Sequence, residues 1–256
     1  MSGIRAAVSD LRAGARTLPA ETSAHLCRVL RLRAGDGFVA FDPEAKTEAD
    51  AVIDEASNEA ARVTVGEVRP ASVVAKRPLV LVYALARGDK VDTVVQDATE
   101  LGATHVVVAH TERSVVKIDD AKRGSKVERW RRIAIEAARQ TGRADPPTVD
   151  LATTWTGAIA IAASVAEVRF LLDPAAPAGL AEPLRQTLSA HTGVAFAVGP
   201  EGGFSEDEIE EARSAGFVPV TLGSFVLRTE TVAAAVLGAL RVLEGSLRTS
   251  EAREEH

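Results

Sequence analysis

Two short stretches bring together residue types that could do chemistry. The first is Gly199-Pro200-Glu201-Gly202-Gly203-Phe204. Its glycines let the backbone approach a ligand closely. Ser205-Glu206-Asp207-Glu208 then has the pattern of a capping box, so the helix that follows would present unpaired amides to the loop. A tight turn with positive φ angles would call for the same glycines. The loop fits neither G-x-x-x-x-G-K-S/T nor G-x-G-x-x-G, which removes the main support for an ATPase or a dinucleotide enzyme. The second stretch runs Leu222-Gly223-Ser224-Phe225-Val226-Leu227-Arg228-Thr229-Glu230-Thr231. Here two charges crowd against the start of an apolar helix, where they must be paired or solvated. Local roles exist for all three polar residues: Thr229 as helix cap, Glu230 against the helix dipole, Arg228 in a salt bridge. Those roles do not explain why both glycine-bearing loops follow a buried strand and precede a helix, which is where open α/β sheets bind ligands.

The other reactive side chains point to structure. His25, His105, His110, His191 and His256 lack metal-ligand spacing, and no metal is expected. Cys27, beside Leu26 and Val29, reads as a small buried hydrophobe. The run Glu206, Asp207, Glu208, Glu210 and Glu211 suits a helix N-terminus with a solvated face.

From position 79 onward, strands alternate with helices, the signature of a parallel sheet covered on both faces. Residues 79–85 form a continuous apolar run, hence a buried strand, and 105–109, 168–172, 194–198 and 217–222 are the strands that follow. Val91, Val94, Val95, Ala98 and Leu101 recur at helical spacing, and Gly102 stops that helix. A helix over 126–140 buries Val127, Trp130, Ile133, Ala134 and Ala137 and turns Arg129, Arg131, Arg132 and Arg139 outward. Residues 178–190 are of undecided helicity. Further helices run from the capping box to Gly216 and over 231–243. The first 70 residues read as a short helix at 22–30, a turn at Gly35-Asp36-Gly37 and short strands at 38–41, 51–53 and 62–65, as in a small barrel or meander. Pro70 and Pro78 bracket the linker.

The 256 residues, 46% hydrophobic and 26% charged, can bury a sizeable core in two unequal domains. No apolar run approaches the roughly 18 residues a bilayer span requires. The N-terminus also lacks a basic-then-apolar leader, so a soluble protein of the cytoplasm is expected. A single Cys27 excludes an internal disulfide. The net charge of −6 argues against coating nucleic acid by bulk charge. Residues 110–143 differ: ten Lys/Arg against five acids make this segment +5 and leave −11 for the rest. That is the pattern of a localised phosphate-binding face or of a solvated helix of mixed charge.

Further motifs stand in register with the two loops. They are His25-Leu26-x-x-Val29-Leu30-Arg31 before Gly35-Asp36, then Gly88-Asp89-Lys90, Thr99-Glu100-Leu101-Gly102, Glu112-Arg113-Ser114 with Lys117, Arg129-Trp130, and Ala137-Ala138-x-Gln140-x-x-Arg143. In this order the chain resembles, over nearly its whole length, the uridine-N3 methyltransferases of 16S ribosomal RNA in the SPOUT superfamily. The resemblance implies an α/β fold: a SPOUT-type parallel sheet with a C-terminal trefoil knot, plus a small N-terminal PUA-like β-barrel domain that helps hold RNA. Sequence rules alone would not propose a knot. The corresponding boundaries are 1–72 for the PUA-like domain, 73–248 for the methyltransferase domain and 249–256 for a disordered tail.

The same resemblance implies S-adenosyl-L-methionine as cofactor, held by Leu172, Gly199, Pro200, Glu201, Gly202, Gly203, Leu222, Gly223, Leu227 and Thr229. It also implies a homodimer that completes each active site, 16S rRNA or the small ribosomal subunit as partner, and no membrane. Arg228 would stabilise negative charge on the uracil oxygens as N3 loses its proton. Glu230 and Glu201 stand as alternative bases or orienting groups. Arg28, Arg31, Arg113, Lys117, Arg129, Arg132, Gln140 and Arg143 would contact RNA. Two positions depart from the family: Asp97, where a basic residue is usual, and Phe225, where arginine is frequent. Both reduce positive charge and leave open tRNA or another RNA as target, and a non-catalytic RNA-binding assembly factor is the third reading.

Overall fold

The computed structural model describes residues 3–116, 118–186 and 192–254. They form two compact units, one of residues up to 74 together with Ile135–Pro146, the other of Ala75–Ala134 and the residues from Pro147 onward. Two contiguous blocks were expected from the sequence. A helix carries no mark of which unit its last turns join, so the transfer of 135–146 to the first unit escaped that reading.

In the first unit, β1 (Arg5–Ala7) and β2 (Gly14–Thr17) precede α1 (Ala20–Ser23), which runs into π-helical turns over Ala24–Val29. Four more strands follow: β3 (Gly37–Asp42), β4 (Thr47–Glu55), β5 (Arg62–Val65) and β6 (Arg69–Pro70). They build one six-stranded sheet in the order β1-β3-β4-β5-β2, with β6 on β4. At three and four residues, β1 and β2 are too short to display an alternating pattern, and the sequence did not announce them. β4 does alternate: Ala51 and Ile53 are buried while Val52 and Asp54 face out. These inward residues share a core with Leu26, Phe38 and Val63. The helical segment closes when the Leu32 amide returns to the Leu26 carbonyl. Arg31 is thereby left at φ +60°, a left-handed helix-end position that glycine usually fills.

The second unit contains β7 (Leu79–Ala84), α2 (Lys90–Glu100), β8 (His105–Ala109), the start of α3 (Asp120–Thr141), β9 (Thr148–Ala152), α4 (Trp155–Val165) and β10 (Val168–Leu172). It continues through α5 (Ala181–Gln186), β11 (Val194–Val198), α6 (Glu206–Ser214), β12 (Phe217–Val220) and α7 (Thr229–Glu254). Its strands form a parallel sheet in the order β12-β10-β11-β7-β8-β9. The apolar run of β7 divides between two cores by the two-residue period of a strand. Leu79, Leu81 and Tyr83 pack with Val94, Trp130 and Leu237, whereas Val80 and Val82 pack with Trp155, Ile159 and Phe217.

The sequence missed β9, which carries two polar residues in five, and α4, which is alanine-rich and apolar on most sides. α7 begins two residues earlier than expected. It also continues to Glu254 through most of the stretch read as a disordered tail, while 255–256 lie outside the described residues. The undecided stretch holds α5, and 187–191, including His191, also lie outside the described residues.

β7 and β11 are neighbours, yet the helices after them leave to opposite faces. α2 joins the core around Leu81, and α6 joins the core around Val82. Divergence of this kind opens a crevice at the carboxyl ends of the two strands.

Candidate functional site

The two glycine-bearing loops meet at the carboxyl ends of β10, β11 and β12, around a cavity of about 330 Å³, a size within the range of small-molecule sites. Of the ten residues predicted to hold a cofactor, eight line it: Leu172, Gly199, Pro200, Glu201, Gly203, Leu222, Leu227 and Thr229. Gly202 and Gly223 do not, and the structure gives each another task. The Gly202 carbonyl accepts a 3.0 Å bond from Nη1 of Arg113, and Gly223 turns the chain at φ +126°. Gly199 serves packing as well: a Cβ there would stand 3.1 Å from the ring of Phe204, which lies 4.7 Å from the Trp155 ring, centroid to centroid.

The capping box is present. Ser205 Oγ accepts the Glu208 amide at 3.3 Å, and the Glu208 carboxylate accepts the Ser205 amide at 2.9 Å. The other Glu208 oxygen accepts the Glu112 amide at 2.7 Å, tying the loop after β8 to the loop after β11. Three backbone bonds tie the segment after β10 to the end of β12: Asp173 to Val220, Thr221 to Ala178 and Leu180 to Thr221, at 3.0, 2.8 and 2.9 Å.

Arg228 lines the cavity, is exposed, and makes no side-chain hydrogen bond or ion pair among the described residues. The salt bridge that local reasoning offered it does not form; the neighbouring acid, Glu230, pairs with Lys90. Lys90, the first residue of α2, places Nζ 2.7 Å from Oε1 of Glu201 and 3.2 Å from Oε2 of Glu230. Thr229 is buried; its hydroxyl donates to Glu230 at 3.2 Å and so accepts from the Tyr83 hydroxyl at 2.8 Å. The hydrogen bond from Lys90 holds the Glu201 carboxyl below the usual carboxylate range. At Glu230 burial pushes upward, but its own amide, Lys90 and Thr229 together outweigh it and the value is lowered. Glu201 and then Glu230 raise the Lys90 ammonium in return, and burial raises the Tyr83 phenol. All three members of the ionic cluster are therefore charged at neutral pH. Lys90 was visible in the sequence only as part of a motif; its partner Glu201 is 111 residues away.

The basic segment is arranged differently. In the second unit, Arg129 donates through Nε to Asp92 at 2.8 Å, and Asp92 also accepts from Trp130 at 3.0 Å. Arg131 pairs with Glu128 and Asp150. Arg132 is exposed and reaches the Glu128 carbonyl at 3.4 Å, and Lys117 lies outside the described residues.

In the first unit, Arg28, Arg31 and Gln140 are exposed. Arg139 engages Glu136 and His25, whose pKa is lowered by burial and then by the arginine's charge. Arg143 corrects the sequence reading. It is 3% exposed and spends its guanidinium on Asp145, at 3.0 Å to the carboxylate and 2.8 Å to the carbonyl, so it presents no charge to a phosphate. Adjacent positions in a motif say nothing about which arginine the fold will bury.

A wider, shallower depression of about 630 Å³ lies between α4 and α6, lined by Asp207, Glu210 and Glu211. It is acidic and away from the strand ends. Among the described residues no group of three or more His, Cys, Asp or Glu is placed to hold a metal, and no helix is long and apolar enough to cross a membrane.

Residues 74–241 match the RNA methyltransferase domain, and residues 18–66 match the RNA methyltransferase PUA domain. The chain belongs to the RNA methyltransferase family. It is 34% identical over 228 residues to ribosomal RNA small subunit methyltransferase E of Mycobacterium bovis, covering 86% of this chain and 83% of that protein. The protein of the same name from Bacillus subtilis is 29% identical over 222 residues, covering 84% and 85% of the two chains. A crystal structure of ribosomal RNA small subunit methyltransferase E from Neisseria gonorrhoeae, bound to S-adenosyl methionine, matches with a TM-score of 0.83 and 26% identity, covering 94% and 98%. A putative methyltransferase of Legionella pneumophila in complex with the same cofactor gives 0.84 and 29%, covering 94% and 97%.

Proposed function

We propose that the protein transfers a methyl group from S-adenosylmethionine to N3 of a uridine in 16S ribosomal RNA. One observation carries this reading: eight of the ten residues expected around the cofactor line a single cavity with the guanidinium of Arg228, which has no side-chain partner among the described residues. The residues there fit the cofactor. Leu172, Val198, Val220 and Leu222 provide apolar walls for an adenosyl group, and loop backbone at 199–203 supplies donors and acceptors. Glu201 brings a carboxylate that suits a cationic ligand. When bound, S-adenosylmethionine supplies an electrophilic methyl group on a positively charged sulfur.

The chain's own residues must then make a nucleophile of uridine N3, which carries a proton at neutral pH. Arg228 offers a planar fork of donors to the uracil oxygens, where negative charge develops as that proton leaves to solvent. Lys90 pairs with Glu201 and Glu230, and both carboxyls lie below their ordinary range, which weakens them as bases. They orient the substrate and cofactor instead.

The same reading includes a trefoil knot, with 221–229 threaded past the segment after β10, a feature the three backbone bonds between those segments support. It also includes a homodimer, a PUA-like N-terminal domain near 1–72 that holds RNA, the methyltransferase domain from 73, and action in the cytoplasm. Exposed Arg28, Arg31, Arg113, Arg129, Arg132 and Gln140 are the RNA contacts of this reading.

Mass spectrometry of nucleosides from 16S rRNA of a strain lacking the gene tests it. One 3-methyluridine should disappear and return when purified protein and S-adenosylmethionine are added. An unchanged 3-methyluridine content, or a change confined to tRNA, would overturn the 16S assignment.

A further inference from the structure

The chain has seven Phe, two Trp and one Tyr. Nine of these ten aromatic side chains are buried, and Phe225 alone stands in solvent, 83% exposed. A single exposed apolar residue needs no special cause. Phe225, however, lines the cavity together with Arg228, three positions on, and its neighbour Val226 is 84% exposed. The ends of this loop are pinned. Thr221 Oγ1 accepts the Gly223 amide at 3.2 Å and donates to the Gly223 carbonyl at 3.1 Å, while Thr229 bonds Tyr83 at the far end. Between two fixed ends, the fold holds an aromatic ring out at the mouth of the site.

We infer that Phe225 is the platform on which the target pyrimidine ring of a single-stranded RNA stacks on entering the cavity; this rests on the methyltransferase reading above. An enzyme that modifies a ring atom must meet that base outside the helical stack. Unstacked bases in single strands are held by their faces on aromatic side chains and by their edges through hydrogen bonds. The cavity mouth offers both from one loop: a flat apolar face at Phe225 and a fork of donors at Arg228 for the ring's oxygens. The contribution of an uncharged ring should not depend on salt, unlike that of a phosphate-binding arginine.

The test uses the full-length protein with Phe225→Ala, Phe225→Leu and Phe225→Trp, and 16S rRNA from the deletion strain as substrate. Phe225→Ala should lower kcat/KM for RNA roughly 5- to 150-fold, the range for losing one base–aromatic stack. The salt slope of RNA binding and the calorimetric affinity for S-adenosylmethionine should stay as in the wild type. Phe225→Leu, which keeps apolar area without a flat face, should fare little better than alanine, and Phe225→Trp should restore activity. The indole of Phe225→Trp should also be quenched when oligouridylate is added. Wild-type kcat/KM in Phe225→Ala would overturn the platform. So would a parallel loss of cofactor affinity, which would make Phe225 a cover for the cofactor, or a shift from dimer to monomer in sedimentation, which would make it a seat for a second copy. Should the wild-type protein methylate no RNA, the proposed function falls, while the quenching still decides whether a base stacks here.

Discussion

Arg228 and Arg143 are the same residue type in two regions of one chain, and their surroundings are opposite. At the cavity wall of the second unit, Arg228 is exposed and unanswered by any acid among the described residues, while Lys90 engages Glu201 and Glu230. In the first unit, Arg143 is buried against Asp145. A buried charge must be paired, and removing one partner strands the other. An exposed guanidinium carries no such penalty, so it can be kept for a ligand. At the cavity both acids pair with Lys90, and Arg228 pairs with neither.

The largest effect should come from breaking the buried pair. Arg143→Ala is expected to destabilise the fold by about 3–5 kcal/mol, read as a lower denaturation midpoint; a stable variant with weakened RNA binding would show instead that Arg143 serves the ligand. Arg228→Ala should reverse that profile, with an unchanged midpoint and retained S-adenosylmethionine binding but kcat lower by about 10²–10³-fold. Wild-type turnover in that variant would refute its role.

Lys90→Ala should cost up to about 100-fold in kcat/KM through misplaced carboxylates, with partial rescue by Lys90→Arg. The pH dependence has a definite sign. In the wild type both acids titrate below their ordinary range, so their ion pairs are intact above it and are lost as pH falls through the lowered values. Without Lys90 the acid limb of the rate profile should move upward, and an unmoved limb would mean the carboxylates do not feel the lysine.

The smallest effect is at Arg31. Removing the left-handed strain of about 1–2 kcal/mol per residue, less the entropy cost of glycine of roughly 0.5–1 kcal/mol, should make Arg31→Gly slightly more stable. RNA binding should meanwhile weaken, with a salt slope shallower by about 0.7–0.9. A more stable variant with an unchanged slope would show that Arg31 makes no phosphate contact.

Much of the site could be read before any coordinates. The capping box at Ser205 and Glu208, the stop at Gly102 and the continuous apolar run of β7 are signals written in neighbouring residues. The two glycine-bearing loops were recognisable for the same reason, and they do meet. β1 and β2 were missed because three and four mostly small or polar residues show no period, β9 because two of its five residues are polar, and α4 because its apolar residues leave no polar face to define a stripe. Lys90 was missed as a site residue because nothing local links it to acids 111 residues or more away. Arg143 is assigned to RNA by the motif it shares with the family, and a motif does not show which of its arginines the fold buries.

By itself, then, the sequence determined the parallel α/β unit, the glycine-bearing turns and the presence of Arg228 in the second of those loops, because periodicity, capping and turn preference act through bonds and near neighbours. Only the tertiary structure decided which arginines are neutralised, which lysine gathers the two glutamates and which aromatic ring is left in water. Ion pairing and burial depend on distance in space, and the chain brings those partners together only when it folds.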